Sequence, residues 1–225
     1  DHENKEFWGV KQDAESVSQF VRRWIQDNNR WNSPKYILGE SYGGIRGPQM
    51  LNELRNGRLT NIEINGIILV SPATDLQHIR FTPGNNMPYI GYLPTYAATA
   101  YYHGKIKTSK SLEEFYEEAK DFSLHEFGPA LLMGARISEK EKDNIAERLS
   151  YYSGLSKQFI LNSNLRVDAS SFRKELLREE GFSVGRLDAR YKGKDYVVAG
   201  QYPDTDISSE GFSAAYVSAL HAWLA

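Results

Sequence analysis

Two short apolar runs on either side of a helical pattern constrain this chain more than anything else in it. Tyr36-Ile37-Leu38 ends at Gly39, and residues 64–70, INGIILV, are almost continuously apolar before Pro72. Short apolar runs bounded by Gly and Pro read as strands, and an unbroken one predicts cover on both faces. Between them, residues from about Gly44 to Asn56 carry a helical pattern that stops at Gly57. Ahead of them Ala14, Val17, Phe20, Val21, Trp24 and Ile25 recur at helical spacing, with Asp13 and Glu15 in the first turn, which predicts a helix over 12–27. Asn28 to Pro34 is a turn-rich break. Helix, strand, helix, strand with short links implies a parallel sheet with right-handed crossovers, so the fold class is α/β.

The character changes near Phe81. FTPGNNMPYIGYLPTYAATAYYHGKI is rich in Pro, Gly and Tyr and reads as a loop wall followed by a short helix. Two capping boxes then announce helices, Ser111 with Glu114 and Ser138 with Glu141. Leu112, Phe115, Tyr116, Ala119 and Phe122 form an apolar stripe in the first. DASSFRKELLREE, 168–180, predicts another helix closed by Gly181. The stretch after it alternates about a Lys-Gly pair and predicts a hairpin turning there. The last residues form a helix with Phe212, Tyr216, Leu220 and Trp223 on one side. No internal repeat or low-complexity segment interrupts this order.

The junction between first strand and second helix reads KYILGESYGGIRGP. It fits the G-x-S-x-G elbow, in which a serine sits on a sharp strand-to-helix turn. Cβ groups two residues to either side would crowd that turn, hence Gly39 and Gly43 around Ser41. The following helix aims free N–H groups and its positive end at the same place, so the Tyr42 N–H is half of a candidate oxyanion hole. Pro48 cannot donate to the carbonyl of Gly44, which predicts a bend in that helix.

GESYGG at 39–44, with Pro48 four residues beyond, resembles the serine carboxypeptidase family, a branch of the α/β-hydrolases. SPKYILGESYGG, NGIILVSPATDL, YLPTYAATAYYHGKI and SNLRVDASSFRKELLREEGFSVGRLDARY resemble its bacterial members, so the likeness covers most of the chain. The fold so implied is an α/β-hydrolase core fragment with a parallel sheet and a mostly helical cap insertion. Residues 1–80 are the core segment with the elbow, 81–182 the cap, and 183–225 a hairpin and C-terminal helix returning to the core. The resemblance implies a hydrolase that releases C-terminal residues from peptides through an acyl-enzyme on Ser41. Glu40 then helps hold the substrate's terminal carboxylate, and Gly39, Gly43 and Gly44 are the elbow glycines. Two carboxylates share a site only with a proton between them, so one of the pair has a raised pKa. The resemblance also implies a periplasmic or secreted setting, a peptide as partner and no cofactor. An esterase or acyltransferase on the same fold, or a non-catalytic binding module, remains an alternative.

A serine hydroxyl needs a base, and in this fold the order is Ser, then Asp or Glu, then His. The five histidines fit poorly. His2 precedes the serine, His78 follows too soon, and His103 and His125 fall in the insertion. His221 stands inside the last helix and fits by order alone. Asp75 reads as a turn residue. The family's glycine-histidine and Gly-x-x-Asp stretches, and the NGGPG-like stretch that supplies the second oxyanion N–H, do not occur. The expectation is the middle of a carboxypeptidase, partnered by N- and C-terminal segments of the same hydrolase and inactive in isolation, by on the order of 10⁴–10⁶ in turnover.

Composition removes other classes. The formal charge is −2, from 27 basic and 29 acidic residues, so no basic excess points to nucleic acid. No run of 18 apolar residues predicts a membrane span. Residues 1–10 are acidic and lack an apolar signal-peptide region. There are no cysteines, which excludes disulfides and thiolate metal sites, and no H-E-x-x-H, P-loop or G-x-G-x-x-G occurs. The carboxylates of LEEFYEEAKD read as a solvated helix face beside Lys120, not a metal site. Arg46 reads as lying along its helix or at a cleft rim.

Overall fold

The structure, a computed structural model, describes residues 7–57 and 59–224. They fall into two compact units, divided between Ile79 and Arg80.

In the first unit, helix α1 (Val10–Asp27) begins two residues before the expected position. Its covered face is Ala14, Ser18 and Ile25, with Val17 and Val21 partly buried beside them. Phe20 and Trp24, expected in the same stripe, are exposed, because the packed face runs one row round the helix from them. Strand β1 (Tyr36–Glu40) continues through Gly39, which the sequence suggested as its end. Helix α2 (Gly43–Arg55) runs unbroken through Pro48. Strand β2 (Gly66–Val70) pairs parallel with β1, Tyr36 against Gly66 through to Glu40 against Val70. Ile64 lies before the strand and packs on the small core of Ala14, Ile25, Met50, Leu54 and Ile62.

Cover on both faces of the strands, as the apolar run predicts, is not what the structure has. Ile37 and Ile67 approach Gly47 of α2, so α1 and α2 cover one face. Alternation puts Leu38, Ile68 and Val70 on the other, where they are 66%, 51% and 43% exposed.

The second unit is mainly helical: α3 (Met87–Tyr102), α4 (Leu112–Phe122), α5 (Gly128–Met133), α6 (Glu139–Ser153), α7 (Lys157–Asn162), α8 (Ala169–Glu175) and α9 (Ile207–Leu224). A single π-helical stretch, Ser123–Phe127, joins α4 to α5. The predicted loop wall turns out to hold the long α3. Pro88 sits in its first turn, where a missing N–H costs little. Pro94, in its interior, cannot donate to the carbonyl of Ile90, and the Ser123 hydroxyl donates there instead. Both capping boxes form with reciprocal bonds at Ser111–Glu114 and Ser138–Glu141. Of the α4 stripe, Phe115, Ala119 and Phe122 are buried, while Leu112 and Tyr116 face out. Phe122 stacks against Phe127 and Tyr152, under the Arg148 guanidinium.

The helix expected over 168–180 stops at Glu175. Leu176 and Leu177 turn into the core, and a 3₁₀ turn, Arg178–Glu180, leads to Gly181 at φ 74°. Strands β3 (Phe182–Val184) and β4 (Lys192–Lys194) then form the predicted hairpin. Its turn is at 185–191, closed by Gly185 N–H to Tyr191 C=O (3.0 Å), and not at Lys192-Gly193. Gly193 lies in the strand because Ile207 presses on it, 2.7 Å from where a Cβ would stand.

Lys174 of α8 is only 1% exposed. It pairs with Asp195 and donates to the Val197 carbonyl at 2.6 Å. Lys174 thus fastens the irregular 195–204 stretch to α8, and within that stretch Asp204 accepts from the Val197 N–H at 2.9 Å. Asp206 starts α9, accepting from Ser208 N–H and from the Ser208 and Ser209 hydroxyls. Of the predicted α9 stripe, Phe212 is half-buried against Tyr191, while Tyr216, Leu220 and Trp223 are exposed.

Candidate functional site

The residues that the sequence gathers as a site lie where β1 passes into α2. Glu40 ends the strand and is exposed on the open face of the sheet. Ser41 follows with φ 53°, a left-handed backbone that a residue with a Cβ adopts at a cost. Tyr42 returns to helical angles (φ −57°, ψ −19°), and α2 starts at Gly43. The Ser41 carbonyl accepts from Gly44 N–H at 3.0 Å and from Ala73 N–H at 2.8 Å, and the Ser41 N–H donates to Val70 C=O at 3.1 Å. The serine side chain is exposed.

The glycines divide the work differently from the sequence reading. A Cβ at Gly39 would stand 2.7 Å from the Gly43 carbonyl oxygen, and one at Gly44 would stand 2.7 Å from Pro72 Cβ and 2.8 Å from Ala73 O. A Cβ at Gly43 would meet open space. So close approach demands glycine at 39 and 44, while Gly43 contributes the backbone that Gly39 needs to touch.

No hydrogen bond among the described residues takes the Tyr42 N–H. It stands at the first turn of α2, where unpaired donors and the helix dipole favour negative charge. The Tyr42 ring is half-buried, and burial, followed by the charge and hydrogen bonding of Asp13, raises its phenol pKa. Arg46 belongs to the same cluster. Its guanidinium holds Asp13 in two bonds, 2.7 Å and 2.9 Å, and lies over the Tyr42 ring at 5.3 Å. Arg46 is thus occupied along the helix face, tying α1 to α2 behind the elbow. Nothing in the sequence signals this pairing, since Asp13 reads there only as a first-turn acid.

The histidines have other company. His78 pairs with Asp75 at 3.5 Å, and Asp75 caps a 3₁₀ turn by accepting from Gln77 N–H at 2.8 Å, a turn residue as expected. His103 Nε2 is 2.7 Å from the Ala189 carbonyl, His125 lies 3.5 Å from Asp121, and His221 is exposed on α9. His2 lies outside the described residues. No group of three or more His, Asp or Glu is gathered for a metal among the described residues. Lys110 and Lys120 pair with Glu118 and Glu117 across the acidic face of α4.

The family model for serine carboxypeptidases matches residues 1–192. The chain belongs to the serine carboxypeptidase family. Its fold is therefore of the α/β-hydrolase kind, and the parallel β1–β2 pair with α2 between is consistent with that. "Serine carboxypeptidase-like 17" of Arabidopsis thaliana is 33% identical over 67 residues, 28% of this chain and 15% of that protein. "Serine carboxypeptidase-like 9" of the same plant is 26% identical over 82 residues, 34% of this chain and 18% of that protein. The chain thus spans under a fifth of the length of these curated relatives. Both are plant proteins, and neither supports the bacterial affinity expected for this carboxypeptidase-family chain. No solved structure gives a significant match. No helix among the described residues is long and apolar enough to cross a membrane.

Proposed function

We propose that this chain is the elbow-bearing part of a serine-type carboxypeptidase, with Ser41 as its nucleophile. The observation that carries the reading is the exposed serine held at φ 53° between strand and helix, next to an N–H with no partner among the described residues. Oγ of Ser41 attacks the carbonyl of the last peptide bond, a base takes its proton, and charge gathers on the carbonyl oxygen. The Tyr42 N–H, at the positive end of α2, stabilises that charge. Collapse expels the C-terminal residue and leaves an acyl-enzyme, which water hydrolyses. Glu40, exposed beside the serine, helps hold the substrate's terminal carboxylate.

The base and its acid come from outside these residues, as does the second oxyanion donor. The histidines described above are engaged with other groups or stand exposed on helices. N- and C-terminal segments of the same hydrolase would complete the site. In this reading 81–182 is the cap, 183–225 returns to the core, and the setting is a secreted one.

The test uses the full-length protein and a fluorophosphonate probe. Labelling of the wild type and its loss in Ser41→Ala are expected. Undiminished labelling of Ser41→Ala would overturn the assignment. Products from a peptide and from an ester then separate peptidase from esterase or acyltransferase.

A further inference from the structure

Ser71 is the residue after β2, and it is also left-handed, at φ 42°. The register sets Glu40 against Val70, so the next residues, Ser41 and Ser71, are neighbours at the same end of the parallel pair. Two adjacent strands thus both leave the sheet through a strained serine. Few residues other than glycine and asparagine hold such angles, and where they do the surrounding bonds must impose them.

The bonds that impose them converge on Ser41. Its N–H donates to the carbonyl of Val70, and its carbonyl accepts from the N–H of Ala73. Only Ser71 and Pro72 separate those two anchors. An unbroken parallel ladder would leave one residue between them, so one extra residue is taken up here, as in a bulge. A residue before proline is disfavoured in the right-handed helical region. An extended Ser71 would continue the ladder and bring residue 72, a proline with no N–H, to the Ser41 carbonyl. The left-handed angle is what remains. The same turn seats Pro72 and Ala73 against Gly44, at the distances that exclude a Cβ there.

We infer that Ser71 is a positioning residue for Ser41: its left-handed backbone closes a Val70–Ala73 clamp on both backbone groups of the nucleophile and thereby fixes the aim of Oγ. This rests on the reading of Ser41 as nucleophile. The role belongs to the backbone angle, not to the Ser71 hydroxyl, so glycine should serve there and a branched side chain should not.

The experiment compares Ser71→Gly, Ser71→Ala and Ser71→Val in the full-length protein. It reads the saturating rate of fluorophosphonate capture, the half-saturating probe concentration and the melting temperature. Ser71→Val should lower the saturating rate about tenfold or more with little change in half-saturation. Ser71→Gly and Ser71→Ala, which drop the hydroxyl without adding a branch at Cβ, should capture at about the wild-type rate. Wild-type capture by Ser71→Val, or capture by Ser71→Gly as slow as by Ser71→Val, would overturn the clamp. If Ser71→Val gives no cooperative melt, Ser71→Thr, also branched at Cβ, takes its place by the same order. Failure of wild-type capture, or undiminished capture by Ser41→Ala, instead refutes the nucleophile reading. Amide hydrogen exchange then tests the clamp alone: the Ser41 and Ala73 amides should be protected with Ser, Ala or Gly at 71 and should lose protection in Ser71→Val. Equal protection in all variants would sink it.

Discussion

Among the described residues, five buried apolar ones form one cluster up to Ile79, whereas twenty gather in another from Arg80 onward. Among the described residues the first region carries the elbow on two strands, with helices on one face. A two-stranded sheet is marginal by itself, and this one leaves Leu38, Ile68 and Val70 in the open. The second region carries no candidate nucleophile, but its α3, α4 and α6 enclose Phe115, Phe122, Leu149 and Tyr152. Local geometry can therefore be strict where the surrounding core is thin. Ser41 is fixed by its neighbours in sequence and by the exit of β2, not by burial.

The sharpest test of this contrast is Phe122→Ala. It removes a ring stacked on Phe127 and Tyr152, and should cost about 3–5 kcal/mol in urea unfolding. A loss under about 1 kcal/mol would remove the claim that the second region stands on its own core. Next comes a pair at the elbow. Gly44→Ala forces a methyl onto Pro72 and Ala73 and should cost about 1–3 kcal/mol. Gly43→Ala, facing open space, should be within about 1 kcal/mol of wild type by thermal unfolding. Equal costs would mean that the elbow is looser than its contacts imply.

The smallest effect concerns Asp206. Burial pushes its carboxyl pKa up, but hydrogen bonds from Arg186 N–H, Ser208 and Ser209 outweigh this and leave it below the ordinary value of 3.8. A folded pKa below the unfolded one means stability that is present above the unfolded value and lost as pH falls through the folded one. Amides in the first turn of α9 should therefore lose protection below about pH 4, and Asp206→Ala should cost about 1 kcal/mol at neutral pH. A pH-independent α9 would show that the cap is ornamental.

Much of this architecture was legible where the determining physics is local. The capping boxes at Ser111 and Ser138 need only their own four residues, and the elbow needs only a strand, a turn and a helix. What depends on distant partners was not. Pro94 made α3 look like loop because the donor that serves Ile90 is Ser123, on another element. Lys192-Gly193 looked like a turn because the pressure on Gly193 comes from Ile207. INGIILV promised two covered faces, since composition reports what a strand tolerates and not what its own unit supplies. The Asp13–Arg46 tie behind Tyr42 and the strained Ser71 leave no periodic trace at all.

Lys174 offers a way to watch the second region breathe. Its amine is sealed between α8 and the stretch that runs from Asp195, whereas Lys11 and Lys192 stand in water. An acylating reagent will mark those two within its first exposure and reach Lys174 only in molecules whose seal has parted. The lag between the two marks, read peptide by peptide, is a clock for opening that the protein carries already built in.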